Sequence, residues 1–161
     1  MDVKIFKAFI ASPSDTGRER ILCDKIFEEI NSGLGEIYKF RIESLKWEKD
    51  VRPTIKDKDG QLIIFDQIGE SFEIFIGIMN KKFGSPTPRA GSGTEEEFNE
   101  AFKRYKEKND LEIIFYFNEE PPQSMSEINA SELLKIEEFR KKLQPKGIYG
   151  FTMAFLNLKK N

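Results

Sequence analysis

The segment FEIFIGIM, residues 72–79, decides the fold because it is an almost continuous apolar run of strand length. Such a run is typical of a strand that is buried on both faces of a parallel sheet. Residues 3–11 (VKIFKAFIA) and 111–117 (LEIIFYF) have the same character. Residues 40–47 (FRIESLKW) alternate apolar and polar side chains, as a half-exposed strand does, and residues 148–153 are a fifth candidate. The sequence therefore predicts five strands.

Apolar residues with helical spacing fill the gaps between these strands. Helices are predicted over residues 15–34, 61–71, 94–108 and 131–143. Gly33 and Gly35 predict the end of the first helix, because glycine commonly follows a helix. Cys23 lies on the apolar stripe of that helix and is interpreted as a core residue.

Alternating strands and helices predict an α/β domain with a mostly parallel five-stranded sheet covered on both faces. Right-handed crossovers make it a flavodoxin-like, three-layer α/β/α fold. Ligands of such folds bind beyond the carboxyl ends of the strands. The loops at those ends are residues 12–15, 48–60, 80–93 and 118–127, and three of them are rich in Gly, Pro and hydroxyl residues. These loops are the predicted location of a site.

Length and composition limit the classes of protein to which this chain can belong. The chain has 161 residues, 34% of them charged, with a formal net charge of −2 and interspersed signs. This length suits one domain, and this charge provides no basic field for direct nucleic-acid binding. The chain has no run of about 18 apolar residues, so no membrane span is predicted. The N-terminus lacks a signal-peptide pattern. With a single cysteine and therefore no internal disulfide, the expected location is the cytoplasm.

The C-terminal residues 151–158 are rich in apolar side chains, although the chain stops three residues later. We expect a single domain over residues 1–161 that is excised from, or N-terminal in, a longer protein. A terminal element that docks on a partner is the alternative.

The chain contains no histidine. Ser-His-Asp and Cys-His catalysis, histidine-based zinc sites and imidazole proton transfer are therefore excluded unless another chain supplies the imidazole. No metal site is predicted. Any chemistry must use carboxylates, Lys or Arg, hydroxyls or backbone amides.

The segment SGTEEEF, residues 92–98, places three carboxylates in the first turn of a predicted helix that follows the central strand. One interpretation is structural: Thr94 is the N-cap, and Glu97 reaches back to its amide in a capping box. The other is functional: a carboxylate at this edge suits a sugar hydroxyl or an oxocarbenium-like carbon. Glu97 is the preferred candidate and Glu96 the alternative.

Other candidates lie at neighbouring strand ends. Ser12, Ser14 and Asp15 precede the first helix, where Ser14 or Asp15 can act as an N-cap or the segment can contact a ribose or phosphate. Trp47 and Arg52 follow the second strand and suit a base and a phosphate, although a lone Trp is more often part of a core or rim. Residues 81–85 (KKFGS) can assist with a pyrophosphate, but a solvated loop is the favoured interpretation.

Several of these segments occur together in the order of one known family. They are FIASPSD (residues 9–15) followed by Glu19-Arg20, the strand end at Trp47, IFIGI (74–78) leading to FGSPT (83–87), and SGTEEEF (92–98) with Ala101. Over about residues 3–150 the chain resembles a TIR-like (Toll/interleukin-1 receptor-like) domain family of formerly unknown function. Members are found at the N-terminus of prokaryotic defence and signalling proteins that carry NTPase modules.

The resemblance implies a flavodoxin-like fold related to TIR domains and to nucleoside 2-deoxyribosyltransferases. Both relatives cleave N-glycosidic bonds with a glutamate at the start of a helix that follows a central strand. The transferase pattern of Gly-Thr, two variable residues, Glu, a hydrophobic residue and a later Ala falls on Gly93, Thr94, Glu97, Phe98 and Ala101.

The resemblance therefore implies an NAD-cleaving effector domain, an NAD+ nucleosidase or cyclase, in prokaryotic anti-phage defence or signalling. NAD is the expected substrate and no cofactor is required. Glu97 is the expected catalytic residue, with Ser12, Ser14, Asp15, Trp47, Arg52 and Thr94 around the substrate. Expected partners are a nucleotide, further copies of the domain, or a sensor or NTPase module of the same protein. The alternatives are a non-enzymatic interaction module and an enzyme of nucleoside or nucleotide base transfer.

Overall fold

The computed structural model describes residues 2–46, 52–56 and 58–151. Its sheet contains the five strands β1 (Lys4–Ala11), β2 (Phe40–Leu45), β3 (Ile74–Met79), β4 (Glu112–Phe117) and β5 (Gly150–Phe151). The spatial order is β2-β1-β3-β4-β5, and every neighbouring pair is parallel. This order is that of flavodoxin-like sheets, so the predicted α/β fold class is confirmed.

The principal helices are α1 (Gly17–Ile30), α2 (Gly60–Ile68), α3 (Gly93–Lys108) and α4 (Ala130–Leu143). Single 3₁₀ turns lie at Met125–Glu127 and Gln144–Lys146. Within residues 2–46, 52–56 and 58–151, none of the helices combines the length and the apolarity needed to cross a bilayer.

The predicted end of the first helix is wrong. After α1 the chain continues through a π-helical turn, Asn31–Gly35, and a last α-helical turn, Glu36–Tyr38. The helix ends at Lys39, which adopts a left-handed φ of 58°. A Cβ on Gly35 would lie 2.6 Å from the Phe40 carbonyl oxygen. Gly35 therefore allows the helix to approach the start of β2 closely instead of stopping it.

Alternate residues of the central strand β3 point to opposite faces of the sheet. Phe75 and Met79 belong to a large cluster that includes apolar residues of α2, α3 and α4. Ile76 and Ile78 belong to a smaller cluster that includes Phe27 of α1. Both faces of β3 are buried, as its continuous apolar sequence predicts, and helices cover both of them.

Gly77 is required by the packing of β3 against β4. The two strands pair in register, with Gly77 opposite Phe115. A Cβ on Gly77 would lie 2.1 Å from the Phe115 ring. That ring packs against Phe98, Phe117 and Phe139 with centroid separations of 5.9, 5.1 and 5.2 Å, so it has no room to move away.

Replacing Gly77 by alanine is therefore expected to lower the free energy of unfolding by about 1–3 kcal/mol, as overpacked cores do. The matched control is Gly33→Ala, since Gly33 is exposed and nothing lies within 4 Å of an added Cβ. The control is expected to be neutral or to stabilise by up to about 1 kcal/mol, because alanine favours helix. Urea unfolding followed by far-ultraviolet circular dichroism measures both. Equal destabilisation of the two variants would contradict this account.

Cys23 is packed against the smaller cluster, as the sequence predicts. Burial, assisted by the neighbouring Asp24 carboxylate, raises the pKa of the Cys23 thiol from 9.0 to about 11. A shift of two pKa units lowers the thiolate fraction at pH 8 by about a hundredfold. Iodoacetamide is thus expected to alkylate Cys23 at least about a hundredfold more slowly in the folded protein than in urea. Comparable rates in the two states would show an accessible thiol.

Candidate active site at the carboxyl edge of the sheet

Helix α3 begins earlier than the capping-box interpretation requires. Its N-cap is Ser92, whose hydroxyl accepts a hydrogen bond of 3.2 Å from the Glu95 amide. Thr94 is therefore the second residue of the helix, and the N3 position of a capping box is occupied by Glu95. The prediction that Thr94 caps the helix with help from Glu97 is wrong, because Ser92 has the extended backbone that an N-cap needs.

Glu97 instead faces a cleft at the carboxyl ends of the strands. The residue is only 7% exposed, and its Oε1 atom accepts a hydrogen bond of 2.9 Å from the side-chain amide of Gln61 on α2. The cleft has a volume of about 920 Å³. A cavity of that size accommodates a nucleotide-sized ligand.

The cleft walls come from five separate segments, which are residues 12–14, 59–64, 81–88, 93–97 and 126–135. Ser12, Ser14 and Thr94 line the cleft together with Glu97, so four of the predicted site residues are brought together. The Ser12 hydroxyl oxygen is buried and has no hydrogen-bond partner within the described part of the chain. A buried hydroxyl normally has a partner, so an ordered water or a ligand is the expected partner of Ser12.

Glu96, the alternative catalytic candidate, points away from the cleft. It is 3% exposed, and its Oε1 atom is bound by Nε of Arg89. The two terminal nitrogens of Arg89 bind both carboxylate oxygens of Asp59 at 2.9 and 3.0 Å. These hydrogen bonds from Arg89 lower the pKa of Asp59 to about 2. Glu96 is thus used to hold the loop after β3 and the start of α2.

Asp15 has a structural position as well. Its Oδ2 atom accepts hydrogen bonds from the backbone amides of Lys81 and Lys82 at 2.9 and 3.1 Å. It does not line the cleft. The N-cap of α1 is Thr16 rather than Ser14 or Asp15, and the Thr16 hydroxyl donates to the Pro13 carbonyl over 2.8 Å. The predicted capping role of Ser14 or Asp15 is therefore wrong.

Glu132 of α4, like Asp15, binds backbone amides of the loop that follows β3. Its Oε2 atom accepts from the backbone amides of Phe83 and Gly84 at 2.6 and 3.3 Å. The Phe83 amide is the main reason why the pKa of Glu132 lies below its usual range. Two carboxylates therefore bind four consecutive amides of the loop that leaves β3.

The remaining two predicted site residues are not brought to the cleft. Arg52 is exposed and does not line it, while its main chain exchanges hydrogen bonds of 2.7 and 2.8 Å with the Gln67 side chain. Trp47 lies outside the described residues. Among the described residues, Lys81, Lys82 and Lys135 provide positive charge at the cleft.

Sequence reasoning missed Gln61, Arg89, Glu132 and Lys135. Arg89 had a detectable signal, because it is the only charged residue between Phe83 and Gly93. The other three carry no such signal, since their roles depend on contacts between helices and loops that lie far apart in sequence. No group of three or more metal-binding side chains occurs in the part of the chain that the structure describes.

This arrangement provides a buried carboxylate, hydroxyl groups and ammonium groups around one cleft. A carboxylate can stabilise positive charge that develops on a sugar carbon. Hydroxyl and ammonium groups can bind ribose hydroxyls and phosphates. The residues together suit a ligand that contains both a sugar and a phosphate.

Comparison with known proteins gives three results. One solved structure with a similar fold is described as "Structure of the activated Roq1 resistosome directly recognizing the pathogen effector XopQ (TIR domains)", with 16% sequence identity, a TM-score of 0.46, and coverage of 86% of this chain and 72% of that chain. A search of curated proteins found no match. Residues 7–160 match the family described as "Domain of unknown function (DUF4062)". Because this match spans nearly the whole chain, the protein belongs to the DUF4062 family.

Proposed function

We propose that this domain cleaves the bond between nicotinamide and ribose in NAD, with Glu97 as the catalytic carboxylate. The observation that carries the proposal is the position of Glu97, which is buried in the wall of the cleft and bound there by Gln61. The residue pattern that resembles TIR-like domains and deoxyribosyltransferases falls on the same glutamate.

The chemistry needs little more than a fixed negative charge. The nicotinamide of NAD is cationic, so the electron pair of the breaking C–N bond neutralises the ring and no general acid has to protonate the leaving group. The ribose carbon acquires oxocarbenium character, which a nearby carboxylate stabilises. Water then adds to that carbon and releases one proton, which gives nicotinamide and ADP-ribose. Cyclisation replaces water by an atom of the adenine base.

The cleft provides places for the rest of the substrate. Ser12 and Thr94 are hydroxyl residues on the same walls as Glu97 and suit the ribose. Lys81, Lys82 and Lys135 suit the pyrophosphate, which carries negative charge that ammonium groups bind. Asp15 acts indirectly, since it holds the amides of Lys81 and Lys82.

TIR enzymes usually act when they are assembled, so we place this activity in a self-associating domain. The remaining parts of the proposal are a cytoplasmic location and a role in prokaryotic defence or signalling. Clustering on a multivalent scaffold is then the appropriate state in which to assay the domain.

Substitution Glu97→Gln is expected to lower nicotinamide release by the clustered domain about a hundredfold or more, because it removes the charge that stabilises the oxocarbenium-like carbon. The control is Glu107→Gln, the same change at an exposed position of the same helix, which is expected to retain full activity. Chromatography of nicotinamide and ADP-ribose measures both.

Two results would overturn the assignment. One is nicotinamide release by Glu97→Gln at the wild-type rate. The other is a clustered wild-type domain that releases none, provided that its circular dichroism spectrum shows it to be folded.

The class of ligand is a separate prediction. With Glu97→Gln, which is expected to cleave NAD at least about a hundredfold more slowly, both NAD and ADP-ribose are expected to raise the midpoint of thermal unfolding by about 5–10 °C at a hundredfold excess over Kd. Adenosine and deoxyadenosine, which lack the pyrophosphate, are expected to have little effect. Stabilisation by deoxynucleosides would favour base transfer, and no stabilisation by any nucleotide would favour a non-enzymatic interaction module.

A further inference from the structure

We propose that Gln61 is a positioning residue that holds the Glu97 carboxylate towards the substrate. Gly93, together with the contacts that Arg89 makes with Asp59 and Glu96, keeps Gln61 in place. This inference rests on the proposed function, because it concerns the same carboxylate. It assigns helix α2, for which the sequence predicts no functional residue, to the active site.

The contact between Gln61 and Glu97 joins two helices at the cleft. The Gln61 side-chain nitrogen donates to Oε1 of Glu97 over 2.9 Å, and both residues line the cleft. A glutamate side chain has several rotatable bonds, and an error of about 1 Å in the position of a catalytic group can reduce a rate about a hundredfold. A donor that fixes one carboxylate oxygen is therefore expected to have a large effect on the rate.

Gln61 is itself held from the side of α3. A Cβ on Gly93 would lie 3.0 Å from the Gln61 side-chain oxygen, so the amide group packs directly over the glycine backbone. A Cβ at position 93 would therefore require the Gln61 amide to move by a few tenths of an ångström. Gly93 is thus the first residue of α3 and also one wall of the Gln61 site.

The start of α2 is fixed by Arg89. Asp59 is the N-cap of α2, and its Oδ1 atom accepts from the amides of Gln61 and Leu62 at 3.2 Å each. Arg89 binds both oxygens of that carboxylate and also Glu96, the neighbour of Glu97. The backbone of Gln61 and the first turn of α3 are therefore linked through one guanidinium group.

The first test uses Gln61→Met and Gln61→Glu in the clustered domain. Methionine keeps the length of the side chain and removes the donor, so kcat for nicotinamide release is expected to fall about tenfold while KM changes less than about threefold. Glutamate has the shape of glutamine but replaces the donor by a second negative charge, so its kcat is expected to fall further than that of Gln61→Met. A packing role predicts the reverse order, since glutamate is the closer match in shape.

The second test uses Gly93→Ala. Alanine is expected to lower kcat about threefold by displacing the Gln61 amide, and to have less than about a twofold effect when Gln61→Met is already present. Gly17→Ala is the matched control, because Gly17 is the first residue of α1 and nothing lies within 4 Å of an added Cβ. Full additivity of the Gly93 and Gln61 changes would overturn the role given to Gly93.

A third measurement separates this inference from the proposed function. The side-chain amide signals of Gln61 in a ¹H–¹⁵N spectrum are compared between the wild-type domain and each variant. They are expected to shift in Glu97→Gln and to keep their wild-type positions in Glu107→Gln. Unshifted signals would overturn the positioning contact whether or not NAD is cleaved. If the signals shift but the wild-type domain releases no nicotinamide, the contact between Gln61 and Glu97 is supported. The proposed function, and with it the role of Gln61 in catalysis, is then contradicted.

Discussion

Two carboxylates fix the loop on which the candidate site depends. Asp15 binds the amides of Lys81 and Lys82, and Glu132 binds those of Phe83 and Gly84. Hydrogen bonds to charged groups contribute about 1.5–3 kcal/mol each, more than neutral ones. The loop leaves the central strand β3, leads to α3 and lines the cleft, so these contacts fix the path of the chain along one wall of the candidate site.

The rest of the candidate site is formed by contacts between the starts of helices α2 and α3. Arg89 connects the N-cap of α2 with Glu96, and Gln61 connects α2 with Glu97. Each helix is capped by a residue of its own, Asp59 or Ser92, and these side-chain contacts tie the two helix starts together. Such an arrangement fixes a carboxylate without histidine, which accords with a chain that contains none. Because the chain has no histidine, any chemistry at this site depends on where its carboxylates are placed.

The fold was largely predictable because its signals are local. A continuous apolar strand such as β3 must be buried on both faces, and helical spacing between strands then requires crossovers. The errors occurred where a residue serves a distant neighbour: Gly35 permits the approach of the helix to Phe40, and Ser92 rather than Thr94 caps α3. In the site, Glu97, Ser12 and Thr94 were predicted from strand ends and motifs. Gln61 was not, because its role arises from a contact across 36 positions of sequence.

The three consecutive glutamates show why a motif alone cannot assign the role of a carboxylate. Successive residues of a helix point about 100° apart, so adjacent side chains face different surroundings. The Glu95 carboxylate lies 4.0 Å from Lys142 at the α4 side, Glu96 binds Arg89 in the loop, and Glu97 meets Gln61 at the cleft. The same residue type thus has three environments within one turn. Since Phe98 and Ala101 pack into the core and thereby fix the rotation of the helix, Glu97, and not Glu96, faces the cleft.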